Sequence, residues 1–168
     1  MSARAKLLVL FLVVAFGGLL IYRLTTYNNV NVAGITESNP NVFPNSEFTP
    51  GDISSNVTSD QVCTPGFTKT VRNVTTATKK LVFEEYNISY PPPKGAYEVD
   101  HFIPLELGGS NEITNLWPEP ADPKPGFHQK DEVENYLHEQ VCKGTISLEQ
   151  AQESIRTNWL TVYQKMPK

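Results

Sequence analysis

The sequence predicts an α+β fold in which two short antiparallel strands and a helix form a small core. Further helices flank this core, and an N-terminal hydrophobic helix precedes it. Three observations favour this fold: an uncharged apolar run over residues 7–22, two short stretches of strand propensity, and three stretches with apolar residues at helical spacing. Apolar residues make up 39% of the 168 residues and charged residues 19%, which excludes a wholly disordered chain and a coiled coil.

The apolar run at residues 7–22 indicates where the chain is located. Arg4 and Lys6 precede the run, and a single Arg23 follows it. A helix of this length, at ~1.5 Å per residue, spans about 24 Å, which lies between a signal-peptide core and a short membrane span. We therefore assign residues 1–24 to a signal anchor or a signal peptide, and favour the anchor. The charge bias predicts a single-pass membrane protein whose C-terminal domain lies outside the cytoplasm, or a secreted protein after cleavage.

Residues 25–60 have the composition of a flexible linker. They contain no Lys or Arg and are rich in Asn, Ser and Thr. Pro40, Pro44 and Pro50 interrupt the segment, and its apolar residues follow no period. Such a stretch buries little apolar surface, so we expect the folded domain to cover residues 61–168.

Three helices are predicted within residues 61–168. The first begins at residues 74–77, where a threonine caps it. The second begins near Phe127 and ends at residues 142–144, where a glycine follows the last turn. The third begins at the capping box of residues 147–150 and continues nearly to the end of the chain.

Two short strands are predicted between the first and the second helix. Tyr97–Ile103 has strand propensity and follows three successive prolines, which allow neither a helix nor an inner strand. A Leu-Gly-Gly-Ser-Asn turn comes next, at residues 107–111. Asn115–Trp117 then forms the second strand, which we expect Pro118 and Pro120 to end.

Cys63 and Cys142 are the two cysteines of the chain. In an oxidising compartment two cysteines of one exported domain usually pair, so we predict a disulfide; two separate buried thiols are the alternative. The bond would close a loop of about 80 residues, to which chain-entropy models assign roughly 4 kcal/mol.

Side chains able to support hydrolysis are concentrated between residues 100 and 130. Asp100 and His101 end the first strand, Asn115 begins the second, and His128 and Lys130 lie on the first turn of the next helix. Two strands and a helix would bring the first four into one cleft. A carboxylate and an imidazole suit a divalent cation, and a second imidazole accepts a proton near neutral pH. A structural zinc site made by Asp100, His101 and His128 is an alternative.

Val99–Lys130 resembles the HNH nuclease family, the ββα-metal endonucleases. The matching residues are, in order, Asp-His, Pro-Leu, Gly-Gly, Asn-Leu and a histidine with a lysine on the following helix. The flanking sequence from Cys63 to Lys168 also resembles small exported bacterial proteins that carry this domain. The resemblance implies a ββα-metal core, one catalytic divalent metal ion and hydrolysis of phosphodiester bonds.

The resemblance also implies a role for each candidate residue. His101 corresponds to the general base and Asp100 to a metal ligand. Asn115 corresponds to the asparagine that braces the loop and orients the base, and His128 completes the metal site. Lys130 is a candidate for contact with a substrate phosphate. The expected cofactor is Mg²⁺, with Mn²⁺, Zn²⁺ or Ni²⁺ as alternatives, and no small-molecule cofactor is expected.

The charge of the domain and its cysteines depart from a typical member of that family. From Cys63 onward there are 11 Lys and Arg residues against 14 Asp and Glu residues, so we expect weak, salt-sensitive binding of nucleic acid. The paired CxxC motifs that bind zinc in many members are absent, and a disulfide could replace them. We predict a metal-dependent endonuclease that acts on nucleic acid outside the cytoplasm, with DNA as the favoured substrate. The alternative is a catalytically inactive exported HNH-fold binding module.

Overall fold

A computed structural model describes residues 42–168 of the chain, and these residues lie within one compact unit. The predicted anchor or signal peptide and the first part of the predicted linker lie outside the described residues. Between residues 42 and 168, no helix is both long and apolar enough to cross a membrane.

The described residues form a two-stranded antiparallel sheet and several helices, which confirms the predicted α+β class. The elements are α1 (Ser59–Val62), α2 (Phe67–Val71), α3 (Thr76–Glu85), β1 (Tyr97–His101), β2 (Leu116–Pro120), α4 (Phe127–Cys142) and α5 (Leu148–Lys165). Two 3₁₀ turns, Leu105–Leu107 and Ile113–Asn115, lie between the strands. The short helices α1 and α2 were not predicted, because a single turn shows no apolar period.

Capping residues set the starts of α3 and α5, as the sequence predicts. The Thr75 hydroxyl accepts the N–H of Thr78 at 3.1 Å at the start of α3. At the start of α5, the Gln150 N–H donates to Ser147 Oγ at 3.1 Å, and the Ser147 N–H donates to Gln150 Oε1 at 2.8 Å. These bonds satisfy N–H groups that a helix start leaves without an intrahelical partner.

Pro118 and Pro120 lie within β2, so the prediction that they end this strand is wrong. Alternate pairs of an antiparallel ladder exchange the hydrogen bonds, and the bond from the Phe102 N–H to the Asn115 carbonyl, at 2.7 Å, fixes that alternation. Counted from that bond, Pro118 and Pro120 belong to the residue pairs that exchange no backbone hydrogen bonds. Their missing N–H groups therefore leave the ladder intact.

Residues 42–60 were predicted to end a flexible linker, but they pack onto the domain. The indole N–H of Trp159 donates to the Val42 carbonyl at 3.2 Å, and the buried Thr49 hydroxyl donates to the Leu116 carbonyl at 2.9 Å. The compact unit thus begins before residue 61. Periodicity missed this segment because its apolar side chains are buried one at a time, with no regular element between them.

The main core lies where α4 and α5 pack against the segment between the two strands. Its largest fully buried apolar side chains are Trp159, Ile155, Val133, Ile103 and Leu107.

Cys63 and Cys142 form the predicted disulfide, with their Cα atoms 5.5 Å apart. Cys63 follows α1 directly and Cys142 is the last residue of α4. The bond therefore joins the N-terminal part of the described domain to the end of its central helix.

Reduction of this disulfide should lower the melting temperature of the protein. The cross-link restricts the unfolded chain, and such bonds typically contribute about 2–4 kcal/mol. Thermal unfolding with and without reductant, for the full-length protein and for Cys63→Ser/Cys142→Ser, measures the effect. The reduced protein and the double variant should melt at similar temperatures, both below the oxidised protein. Equal melting of all three samples would contradict the stabilising role.

Candidate functional site

β1 directs Asp100 and His101 to opposite faces of the sheet, because consecutive residues of a strand alternate. Asp100 pairs with Trp117 on β2 and shares its face with Glu119. On this face the two carboxyl groups meet Lys130 of α4. His101 lies on the other face, against Asn111 of the loop that connects the strands. The end of β1 thus contributes to two different environments.

Lys130 is fully buried, whereas the sequence suggested a lysine that contacts phosphate or solvent. Its ammonium donates to Asp100 Oδ2 at 3.2 Å, to the His101 carbonyl at 3.0 Å and to Glu134 Oε1. Glu119 Oε2 lies 3.5 Å from the same nitrogen. Because protein groups surround the ammonium, Lys130 is not available to a substrate phosphate in this structure. It joins α4 to β1.

The charges of this cluster follow from burial and from the mutual contacts. Burial alone would lower the pKa of Lys130, but the carboxyl groups of Glu119, Glu134 and Asp100 outweigh it and hold that pKa well above its usual value. Burial would raise the pKa of Asp100, yet the nearby ammonium lowers it below its usual range. At neutral pH the cluster therefore contains a charged Lys130 opposite an ionised Asp100.

Glu119 should make the stability of the protein depend on pH. Burial raises its pKa from 4.5 to about 8, although Lys130 opposes the shift. The folded state then keeps a proton that the unfolded state releases, so this group makes stability fall as pH rises from about 4.5 to about 8. Unfolding free energies across this range, for the wild type and Glu119→Gln, test the effect. The variant should have a shallower slope, and equal slopes would contradict the assignment.

Two of the carboxyl groups that contact Lys130 also belong to a group with metal-ligand spacing. One carboxylate oxygen from each of Asp100, Asp131 and Glu134 lies within 4.8 Å of the other two. Burial raises the pKa of Asp131, and the negative charge of Asp100 raises it further. The same two causes raise the pKa of Glu98, which precedes the site on β1. The charge of Asp100 therefore acts on both neighbouring carboxyl groups.

His128 is not part of this group, although the resemblance implied that it would complete a metal site with Asp100. Its side chain is 67% exposed, and its Nδ1 lies 4.0 Å from Asp131 Oδ2. His128 is two residues before Lys130, which places it about 200° around the helix from the face that meets β1. The helical phase of α4 directs Lys130 and Glu134, rather than His128, toward Asp100.

A second group with metal-ligand spacing, formed by Cys63, His138 and Cys142, is also present among the described residues. Its two sulfur atoms are joined in the disulfide, so the group is not a metal candidate in this state.

The environment of His101 favours a neutral imidazole. The residue is 2% exposed, and its Nε2 lies 3.2 Å from Asn111 Oδ1. Burial lowers the pKa of His101 below its usual value, although the contact with Asn111 and the charge of Asp100 oppose the shift. The exposed Arg72 adds a positive charge that lowers this pKa as well. A neutral imidazole is the form that can accept a proton.

Asn115 is fully buried and braces the loop that follows β1. Its Oδ1 accepts the Ile103 N–H at 2.9 Å, and its Nδ2 donates to the carbonyls of Ile103 and Ser110, each at 2.9 Å. The direct hydrogen bond to the His101 ring, however, is made by Asn111. The side chain of Asn115 acts on His101 only through the backbone that it holds.

The two glycines of the predicted turn allow this brace to form. Gly108 has a φ of 79°, in the left-handed region that favours glycine. At Gly109, a Cβ atom would lie 1.7 Å from the Ile103 carbonyl oxygen and 2.8 Å from Asn115 Nδ2. A larger residue would therefore displace the strand end or the amide that holds it.

Sequence reasoning missed Glu119, Asp131, Glu134 and Asn111 as members of the site. Glu134 lies four residues after Lys130, a spacing typical of ion pairs within a helix, and this signal could have been used. The other three residues meet their partners only through the packing of the sheet, α4 and the loop. No local pattern in the sequence indicates such contacts.

Comparison of the chain with protein-family models, with curated proteins and with solved structures finds no match.

Proposed function

We propose that the domain is a metal-dependent phosphodiester hydrolase of the HNH, or ββα-metal, type. It acts on nucleic acid, with DNA as the favoured substrate. One observation carries the proposal. The end of β1 carries, at consecutive residues, a carboxylate of a cluster suited to a hard cation and, on the opposite face of the sheet, a buried imidazole whose pKa is lowered. These are the two chemical components that metal-assisted hydrolysis of a phosphodiester needs.

The donors of the site suit a hard divalent cation such as Mg²⁺ or Mn²⁺. Asp100, Asp131 and Glu134 supply carboxylate oxygens, which these ions prefer. Burial raises the pKa values of Asp131 and Glu134, and the negative charge of Asp100 adds to both shifts. These three residues would hold the ion, which when bound stabilises negative charge on the phosphate and on the departing oxygen.

Side chains of the domain account for proton transfer, for positioning of the base and for attraction of the substrate. His101 accepts the proton of the attacking water, one P–O bond forms to that water and one breaks, and the products are a phosphate monoester and a hydroxyl end. Asn115 fixes the strand end that carries His101. The exposed Arg72, whose charge acts on His101, is placed to attract the phosphate backbone.

The proposed location is outside the cytoplasm, by an anchor through residues 7–22 or by secretion. The apolar run and its charged flanks support this location. The disulfide between Cys63 and Cys142 supports it as well, because such bonds persist in oxidising compartments.

Nicking of supercoiled plasmid by the full-length protein tests the proposed reaction, with Mg²⁺, Mn²⁺ or a chelator. Cleavage should require the metal ion and should decrease as salt is raised. Absence of cleavage under every metal condition, in a protein that is folded, would overturn the hydrolase and favour the non-catalytic binding module.

A pair of variants tests where the metal ion binds. Asp131→Asn should reduce both cleavage and the rise in melting temperature that the metal ion produces, because it removes a ligand. His128→Ala should keep most of that rise, because the exposed His128 side chain lies outside the carboxylate group. Loss of the metal response in His128→Ala but not in Asp131→Asn would instead support the Asp100–His128 pair that the resemblance implies.

A further inference from the structure

The hydrogen bonds of Asn111 determine the orientation of its side-chain amide. Its Nδ2 lies 2.8 Å from the Val71 carbonyl oxygen, which can only accept. Its Oδ1 lies 3.0 Å from the backbone nitrogen of Asn73, whose N–H can only donate. Exchanging the two ends of the amide would place donor against donor and acceptor against acceptor. Both contacts therefore fix Oδ1 as the atom that faces His101.

This orientation determines which nitrogen of a neutral His101 carries the proton. Asn111 Oδ1 lies 3.2 Å from His101 Nε2, and an amide oxygen only accepts hydrogen bonds. Nε2 must therefore be the donor, which leaves the lone pair on Nδ1. Within residues 42–168, Nδ1 has no hydrogen-bond partner, and it is not one of the fully buried polar atoms that lack one.

Two further contacts hold the residue that carries this ring. Lys130 donates to the His101 carbonyl at 3.0 Å, on the side of α4. The next residue, Phe102, donates its N–H to the Asn115 carbonyl at 2.7 Å. The backbone around His101 is thus fixed by α4 and by the 3₁₀ turn that precedes β2, whereas its ring is fixed by Asn111. Asn111 itself is anchored on residues 71–73, at the end of α2.

We propose that Asn111 is a positioning residue that holds His101 in the tautomer with the proton on Nε2, so that Nδ1 is the atom that accepts the proton from water. The role in proton transfer rests on the proposed hydrolase, whereas the tautomer itself does not. Asn115 has no such role, because its amide bonds only to the backbone of the loop.

Nuclear magnetic resonance of the ¹⁵N-labelled full-length protein measures the tautomer directly. Long-range proton–nitrogen correlations at neutral pH distinguish a protonated from an unprotonated ring nitrogen, and His101→Ala identifies the His101 signals among the three histidines. The expected result is a protonated Nε2 and an unprotonated Nδ1. A protonated Nδ1 with an unprotonated Nε2 would overturn the proposal.

Two substitutions test whether Asn111 fixes the tautomer. Asn111→Leu removes the acceptor, so the two nitrogen shifts of His101 should move toward each other as the second tautomer becomes populated. Asn111→Asp keeps an oxygen beside Nε2, so at a pH high enough to keep the imidazole of this variant neutral it should preserve the wild-type shifts, even if the lost donor bond to Val71 lowers stability. Wild-type shifts in Asn111→Leu would overturn the positioning role. If Asn111→Leu does not fold, loss of the wild-type tautomer in Asn111→Asp would overturn it.

Cleavage kinetics of the same variants separate this proposal from the proposed function. Asn111→Leu should lower kcat by about fivefold or more with KM changed by less than about twofold, and Asn111→Asp should recover much of kcat. A protein with the expected tautomer that cleaves under no condition would contradict the hydrolase but not the role of Asn111 in fixing the ring. An unchanged kcat in Asn111→Leu, with mixed tautomers, would show that the tautomer does not serve proton transfer.

Discussion

Replacing Lys130 with methionine should lower the free energy of unfolding by about 3–5 kcal/mol, because removal of one partner leaves buried charge uncompensated. Lys130 is fully buried, and it contacts the carboxyl groups of Asp100, Glu119 and Glu134. Methionine fills much of the same volume without the positive charge. The loss of unfolding free energy therefore measures the removal of the positive charge and not the creation of a cavity.

Urea unfolding of the full-length protein at neutral pH measures this loss, and Lys143→Met provides the control. Lys143 pairs with Glu139 one turn earlier, but both side chains are more than half exposed. Exposed pairs of this kind contribute about 0.3–0.5 kcal/mol, so the control should remain close to wild type. A similar small effect in both variants would contradict the central role of Lys130.

The cause of the loss can be tested separately by removing charge from the carboxyl groups. Lowering the pH should restore part of the stability of Lys130→Met relative to wild type, because protonation neutralises the unpaired carboxylates. The double variant Lys130→Met/Glu134→Gln should also be more stable than Lys130→Met alone. If neither change restores stability, packing rather than charge explains the effect of the substitution.

His101→Ala should reduce plasmid cleavage by about 100-fold or more, since general-base catalysis contributes roughly 10²–10⁴-fold to such reactions. The imidazole has a lowered pKa, so it is neutral and able to accept a proton near neutral pH. Its side chain is not part of the carboxylate group, so the metal ion should still raise the melting temperature of the variant.

Initial nicking rates and metal-dependent melting curves, measured on the same samples, test both parts of this prediction. Retained metal response with lost cleavage is the result that a general base requires. Cleavage at the wild-type rate would remove His101 from the mechanism. Loss of both responses would instead indicate that His101 supports the fold of the site, and circular dichroism of the variant distinguishes that outcome.

Local sequence patterns were sufficient to predict those elements whose contacts join residues close together in the chain. The Ser147–Gln150 capping box predicts the start of α5, because both of its hydrogen bonds form within one turn. The strand propensity around Asp100 and the Gly-Gly turn predict the β1 end and the loop that follows. The disulfide is a longer contact, but a chain with two cysteines has only one intramolecular pairing.

The tertiary structure alone decided which side chains of the predicted site face one another. Each element has a fixed period, but the sequence does not state how α4 is rotated relative to the sheet. That rotation buries Lys130 beside Asp100 and directs His128 to solvent. Likewise, only the packing of the loop against the end of α2 brings Asn111 to His101. The residue types of the site were therefore present in the sequence, whereas their partners depended on contacts that no local pattern encodes.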